Sequence, residues 1–288
     1  MTERAPAKIN LCLFVGPTRA DGRHELVSVM QSLEWGDEVS LEPAARDEVV
    51  CAEVDGPNLA AAALAAFRSA TGALREPHRL AIEKRIPVAA GLGGGSGDAA
   101  AVLRLAARAA EGDVADDGLL LELAGGLGAD VPAQVQPGRA LAAAAGERVR
   151  RLAPPPRFGV LVLPARETLS TAAVYAEADR LGLPRDADSL AERLWAVEES
   201  LGAERNDPFG MAGELLVNDL EPAARSLCPA IEDAFAEALA AGADHVMVAG
   251  SGPTVFGLFA APAAAERAAG ELASRDPAPV ATTPLESL

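Results

Sequence analysis

Residues 91–97 read Gly-Leu-Gly-Gly-Gly-Ser-Gly, and five glycines in seven positions constrain the fold more than any other stretch of the 288-residue chain. Glycine costs conformational entropy in any regular element, so such a run marks a place where the backbone turns or approaches something closely. Its flanks say which. Arg79–Lys84 alternates as a strand does and leads into Ile86-Pro87, while Ser96–Ala110 is an Ala/Leu run that reads as a helix. A glycine loop between strand and helix turns backbone N–H groups inward, and the helix adds its positive dipole end to the same space. That combination suits a polyphosphate, with the Ser96 hydroxyl available to a phosphate oxygen or to magnesium. The P-loop pattern GxxxxGK[ST] is excluded, since no lysine follows the glycines. The dinucleotide pattern GxGxxG fails too: its last position falls on Ser96 counted from Gly91 and on Asp98 counted from Gly93. On glycine content alone, a loop without a ligand remains the competing reading.

The surrounding chain reads as mixed α and β. Alternation in Lys8–Phe14 predicts an opening strand and Ala20-Asp21-Gly22 a turn, with further strands expected at Leu26–Leu33, Glu38–Leu41 and Val49–Glu53. Asn58–Ser69 predicts a helix with Asn58 as N-cap, and Asp117–Ala124 a second. Pro154-Pro155-Pro156 can continue neither helix nor central strand, so a boundary is expected there between units over 1–153 and 157–288. Beyond it come a strand at Phe158–Leu163, helical stretches through the 170s to the 230s, and strands His245–Val248 and Val255–Phe259 around Gly250-Ser251-Gly252-Pro253. A helix over Pro262–Ser274 and a strand near Val280 complete a split β-α-β order.

Charge and composition exclude several classes. A net charge of −17 leaves no basic stripe for nucleic acid. Cys12, Cys51 and Cys228 show no metal-binding or disulfide spacing, and the alanine runs Leu59–Ala66 and Leu141–Ala145 are too short for a bilayer. No apolar leader precedes the first strand, so the expectation is a cytoplasmic protein with no membrane partner.

Pro87–Ala100 resembles the central motif of the GHMP kinases, the superfamily of galactokinase, homoserine kinase and the mevalonate kinases. Pro6–Leu11, Arg19–Leu26 and Leu127–Pro132 resemble the signatures of its 4-diphosphocytidyl-2-C-methyl-D-erythritol kinase family, as do Asn218–Pro222 and Ala249–Phe256 nearer the C-terminus. The resemblance is colinear and covers nearly the whole chain. It implies an α+β, two-domain GHMP kinase fold: an N-terminal domain like domain 2 of ribosomal protein S5 and a C-terminal ferredoxin-like domain. It also implies transfer of the ATP γ-phosphate, with Mg2+ on the nucleotide, to the 2-hydroxyl of the cytidylyl methylerythritol substrate. No protein ligand to a metal is assigned, and the expected state is a monomer or weak homodimer.

The same resemblance assigns roles. Asp130 is the base that takes the hydroxyl proton, and Lys8 lies beside it; Asn10, on the same strand face as Lys8, bonds a substrate hydroxyl or phosphate. The cofactor-binding set is Pro87, Val88, Ala89, Ala90, Gly91, Leu92, Gly93, Gly94, Gly95, Ser96 and Gly97, with Asn58 and Lys84 toward adenosine. His24 reads the cytosine edge, Tyr175 stacks on the base and Thr171 lies near the substrate. Arg23 stands where relatives carry tyrosine and is expected to lie flat on the base in its place. Asp98 is expected to point away from the phosphates, and Gly250–Thr254 to pack near the glycine loop. Residue by residue, other readings stay open. Asp130 suits a turn, Asn58 a plain cap, Lys84 a solvated strand end and Tyr175 a core position. A kinase acting on another alcohol, or a nucleotide-binding regulator, are the alternatives for the whole; retention of both Lys8 and Asp130 argues against the second.

Overall fold

The computed structural model describes residues 1–53, 56–110, 114–203 and 207–286. Its first sheet is organised by two long antiparallel strands, β1 (Thr2–Thr18) and β2 (His24–Pro43). The two strands expected at Leu26–Leu33 and Glu38–Leu41 are thus one, continuous through Trp35-Gly36-Asp37. The register shifts here, Pro6 pairing Gly36 and Lys8 pairing Ser32, so the extra residues of the bulge lie on β2. A Cβ on Gly36 would lie 2.4 Å from the Ala5 carbonyl oxygen, so only glycine lets the strands cross that closely.

The sheet adds β3 (Glu48–Val50), β4 (His78–Glu83), β5 (Arg139–Ala144) and β6 (Arg148–Arg151), in the order β3-β4-β2-β5-β6 with β1 on β2. The alanine run at Leu141–Ala145 therefore belongs to the β5–β6 hairpin. Against this sheet pack α1 (Leu59–Thr71), α2 (Gly94–Ala109) and α3 (Asp117–Leu127), followed by the short α4 (Val131–Val135). Alanines 99–101 and Ala106 of α2 cluster with Ala60, Ala63, Leu64 and Phe67 of α1, the alanines being small enough to let the helices approach. Phe67 is fully buried there, and its truncation to alanine would cost about 3–5 kcal/mol.

Residues 152–158 form neither helix nor strand. A second sheet follows, built from β7 (Gly159–Leu163), β8 (His245–Val248), β9 (Val255–Phe259) and β10 (Val280–Thr282) in the order β10-β7-β9-β8, all antiparallel. Between β7 and β8 run α5 (Thr171–Leu181), α6 (Ala187–Gly202), α7 (Glu221–Leu227) and α8 (Ala230–Ala240), and α9 (Pro262–Glu271) joins β9 to β10. In order of appearance the strands lie 4-1-3-2, the split β-α-β arrangement of a ferredoxin-like unit. The two sheets share one core, in which Ile9, Leu11 and Val29 pack with Phe158, Val160 and Phe256. The chain then returns to β2, where Leu285 N–H donates to the Ser32 carbonyl at 2.8 Å. No described helix is long and apolar enough to cross a membrane.

Candidate active site

A cavity of ≈ 510 Å³ opens where the glycine loop, β1 and α5 converge, within the usual range for a small-ligand site. Gly93 adopts the left-handed conformation (φ 69°) and ends the loop, so α2 begins at Gly94 rather than Ser96. Gly94, Gly95 and Ser96 line the cavity as the first turn of a 16-residue helix, where backbone N–H groups have no intrahelical partner. Gly97 does not reach it. Its N–H donates to the Gly93 carbonyl at 2.8 Å, and a Cβ there would come within 2.9 Å of the Pro6 carbonyl oxygen. Gly97 is where α2 touches β1, a packing requirement that the glycine count could not separate from ligand contact.

The loop is seated on the segment between β8 and β9, as the sequence suggested. At Gly91 (φ 78°) a Cβ would lie 1.9 Å from the Ala249 carbonyl oxygen, so the two backbones touch. Asn218 fixes the far side by donating from Nδ2 to the carbonyls of Val248 and Gly250, at 2.8 and 2.7 Å.

Lys8 and Asp130 meet beneath this loop. The Lys8 N–H donates to the Leu92 carbonyl at 2.9 Å, stitching β1 to the loop, and Gly93 leaves room for the lysine stem beneath it: a Cβ there would strike Lys8 Cγ at 2.8 Å. The ammonium of this buried lysine lies 3.1 Å from Asp130 Oδ2 and donates to Asn10 Oδ1 at 2.9 Å. Asn10 Nδ2 donates to Ser28 Oγ at 2.7 Å, and Ser28 donates onward to the Cys12 carbonyl. Asp130 precedes α4 but its side chain makes no capping bond, which removes the turn-capping reading. Buried polar groups joined in such a chain hold one another in a single geometry.

Lys84, one residue past β4, is not solvated: its ammonium is buried and donates to Asp37 and, at 2.9 Å, to Asp98 Oδ2. Asp98 does not point away from the cavity but lines its floor beside Lys84. The reason is helical spacing. Gly94 and Asp98 share a face of α2, and a Cβ on Gly94 would sit 3.1 Å from the same ammonium. Two carboxylates share one cation here, so burial, with Asp37 adding, pushes Asp98 up to about 6 against the pull of Lys84. The two carboxylates in turn raise the Lys84 ammonium above its ordinary value despite burial. Asn58, also on the cavity wall, caps α1 by accepting from the Ala60 N–H at 2.9 Å.

Pro87–Ser96, Thr171 and Tyr175 line the cavity together with Lys8, Asn10, Asp130, Asn58 and Lys84. Burial, with the Asp130 charge adding, drives the Tyr175 phenol above its ordinary range, so the ring is presented neutral. His24 sits one layer behind: its ring is 5.1 Å from that of Tyr175, and Nε2 is 2.8 Å from Asp179 Oδ1. Arg23 lies further out. Its exposed guanidinium is held by Asp21 at 3.0 and 3.1 Å and contacts no ring among the described residues.

Several supporting side chains were invisible as site residues: Ser28 behind Asn10, Ser251 at 3.0 Å from Thr171 Oγ1, Asp37 beneath Lys84 and Asp179 on His24. Of the groups that hold the site together, Asn218 and Ser251 fell inside quoted signatures, with no role assigned to either. Among the described residues no cluster of His, Cys, Asp and Glu is placed to hold a metal by itself.

Comparison with known proteins agrees with this geometry. Residues 58–138 match the GHMP kinases N terminal domain and residues 201–278 match GHMP kinases C terminal. The chain is 45% identical over 273 residues to a 4-diphosphocytidyl-2-C-methyl-D-erythritol kinase of Anaeromyxobacter sp. (strain K), covering 92% of this chain and 82% of that one. It is 41% identical over 263 residues to the Streptomyces coelicolor protein of the same name, covering 88% and 86%. A crystal structure of 4-(cytidine 5'-diphospho)-2C-methyl-D-erythritol kinase superposes with TM-score 0.78 at 32% identity, over 99% of both chains. A homoserine kinase from Cytophaga hutchinsonii superposes at TM-score 0.72 with 20% identity, covering 100% of this chain and 95% of that one, which shows the shared fold.

Proposed function

This chain belongs to the 4-diphosphocytidyl-2-C-methyl-D-erythritol kinase family of GHMP kinases, and from that premise we propose how its residues carry the reaction. The protein phosphorylates the 2-hydroxyl of 4-diphosphocytidyl-2-C-methyl-D-erythritol at the expense of ATP, a step of the methylerythritol phosphate route to isoprenoid precursors. The observation that carries the mechanism is the Lys8–Asp130 pair at 3.1 Å, beneath the loop and open to the cavity.

Backbone N–H groups of Gly94, Gly95 and Ser96 cradle the ATP phosphates at the positive end of α2. The acceptor hydroxyl oxygen attacks the γ-phosphorus as the bond to the β–γ bridging oxygen breaks, ADP leaves, and the hydroxyl proton passes to Asp130 Oδ. Lys8 holds that carboxylate in place and offers positive charge to the transferring group, while Asn10 orients the acceptor. The Ser96 hydroxyl is the hard oxygen donor on this wall that would suit a magnesium ion arriving with the nucleotide, whose charge would offset that of the phosphates. Tyr175 offers the base a face and His24 an edge, and stacking of that kind is worth about 1–3 kcal/mol. Asn58 and Lys84 lie toward adenosine.

We also read the chain as two units over 1–153 and 157–288, acting in the cytoplasm as a monomer or weak homodimer. The stretch 152–158, which forms neither helix nor strand, supports that division. A coupled assay with ATP, magnesium and the cytidylyl substrate tests the mechanism. Asp130→Asn is expected to lower kcat by about 10²–10⁴ with KM for ATP little changed. An unchanged rate would remove the base assignment. Homoserine and mevalonate, run as acceptors, are expected to give no turnover; phosphorylation of either in preference would transfer the enzyme to a sister activity.

A further inference from the structure

The β2–β4 ladder ends on the pair Glu38–Glu83, and the next residue is Asp37 on one strand and Lys84 on the other. There β4 leaves the sheet to begin the glycine loop, and its backbone N–H groups lose their strand partners. Buried N–H groups in that position must find other acceptors. Asp37 supplies one. Its carboxylate is fully buried; Oδ1 accepts from the N–H of Arg85 at 2.5 Å and of Ile86 at 2.8 Å, while Oδ2 accepts from the Lys84 ammonium. No other acceptor serves either N–H among the described residues. Both lines of contact run on to the loop and the first turn of α2. Ile86 is buried in one cluster with Ala90 and Leu92, and a Cβ on Gly94 would lie 3.1 Å from Ile86 Cγ2 and 3.1 Å from Lys84 Nζ. Asp37 itself does not line the cavity, so whatever it does there it does through these neighbours.

We propose that Asp37 is a positioning residue for ATP: its carboxylate ties the exit of β4 to β2, and so holds the glycine loop and the first N–H groups of α2 at the spacing that phosphates need. The inference rests on the reading that this loop binds ATP. Backbone donors bind an anion well when they are already in place, because no ordering is left to be done on binding. Hydrogen bonds to an ionised carboxylate are stronger than those to a neutral acceptor, which suits a group that must hold a loop entry by itself. Truncating Asp37 leaves two buried N–H groups and one ammonium short of an acceptor, and the turn moves to satisfy them. Lys8, Asn10 and Asp130 keep their own hydrogen bonds and ion pair, so the acceptor side and the chemical step stay as they are.

The test compares wild type with Asp37→Ala and Asp37→Asn, using ATP, magnesium and the cytidylyl substrate. Asp37→Ala is expected to raise KM for ATP about 10-fold or more, with kcat and KM for the cytidylyl substrate each within about threefold of wild type. Asp37→Asn keeps an oxygen for the two N–H groups and gives up only the Lys84 contact, so its rise in KM for ATP is expected to be smaller. A merely structural role would reduce the amount of active enzyme, lowering the apparent kcat and leaving both KM values alone. That pattern, or equal rises in the two variants, would overturn the proposal. Amide hydrogen exchange of nucleotide-free wild type gives a second measurement that needs no variant to fold. The Arg85 and Ile86 amides are expected to be protected although both lie outside helix and strand. Exchange at the rate of an open loop would overturn the proposal too. A wild type with protected amides that fails to phosphorylate the cytidylyl substrate would instead overturn the functional reading beneath it.

Discussion

The two walls of the cavity are made of different material. The proposed nucleotide wall is backbone: Gly91 pressed on Ala249, Gly93 over Lys8, and the first N–H groups of α2. The acceptor wall is side chains: Lys8, Asn10, Asp130, Thr171 and Tyr175, each held by another side chain or by packing. Backbone donors bind a phosphate whatever else it is attached to, so the first wall can serve any ATP-dependent reaction. Side chains with fixed partners discriminate among acceptors. The difference teaches where specificity can change without losing the donor.

The sharpest way to break this contrast is within the glycines. Gly91→Ala is expected to destabilise the protein by at least about 3 kcal/mol in urea unfolding, because the methyl meets a carbonyl and the backbone conformation is strained. Gly95 has nothing within 4 Å of its would-be Cβ. Gly95→Ala is therefore expected to leave stability equal or up to about 1 kcal/mol higher, while raising KM for ATP by placing a methyl on the phosphate face. Equal losses from both would mean that the loop is not a fitted backbone surface.

The nucleotide wall depends on side-chain charge at Lys84, Asp37 and Asp98. A carboxyl raised from 3.8 to about 6 on folding contributes stability that is complete below about pH 4 and lost as pH rises through 6. The stability of Asp98→Asn relative to wild type should therefore rise across that window, by about 1–3 kcal/mol in unfolding measured at pH 4, 5, 6 and 7. A flat difference would show that Lys84 fully compensates the buried charge.

The smallest expected effect lies at the rim. Arg23 is bound to Asp21 in solvent, and such exposed pairs are worth about 0–1 kcal/mol. Arg23→Ala should change KM for the cytidylyl substrate by no more than about twofold. A tenfold rise would put the guanidinium on the base after all and extend the side-chain wall outward.

Much of this was legible in the residues themselves. The glycine loop and the cap at Asn58 follow from local residue preferences, and the Lys8/Asn10 face and the chain order of elements in the second unit from periods of two or 3.6 residues. The misreadings share a cause. The gap between the two expected strands disappears because β2 stays paired with β1 on both sides of it, through a bulge whose extra residues lie on β2. The glycines at 91, 93 and 97 look alike in sequence, yet one meets a carbonyl, one a lysine stem and one a neighbouring strand. Asp98 found in Lys84 a partner that a motif comparison does not weigh.

The sequence by itself determined the element types and the glycine loop, because these depend on backbone freedom and periodicity over a few positions, while the roles given to Lys8 and Asp130 came from the resemblance of whole motifs. Tertiary structure alone decided that Lys8 reaches Asp130 across 122 positions, that Lys84 is shared by two acids, and that Asp179 lies on His24. Those are contacts between distant segments. Their energies depend on burial and on distances of a few ångströms, which exist only once the two sheets have closed on a common core.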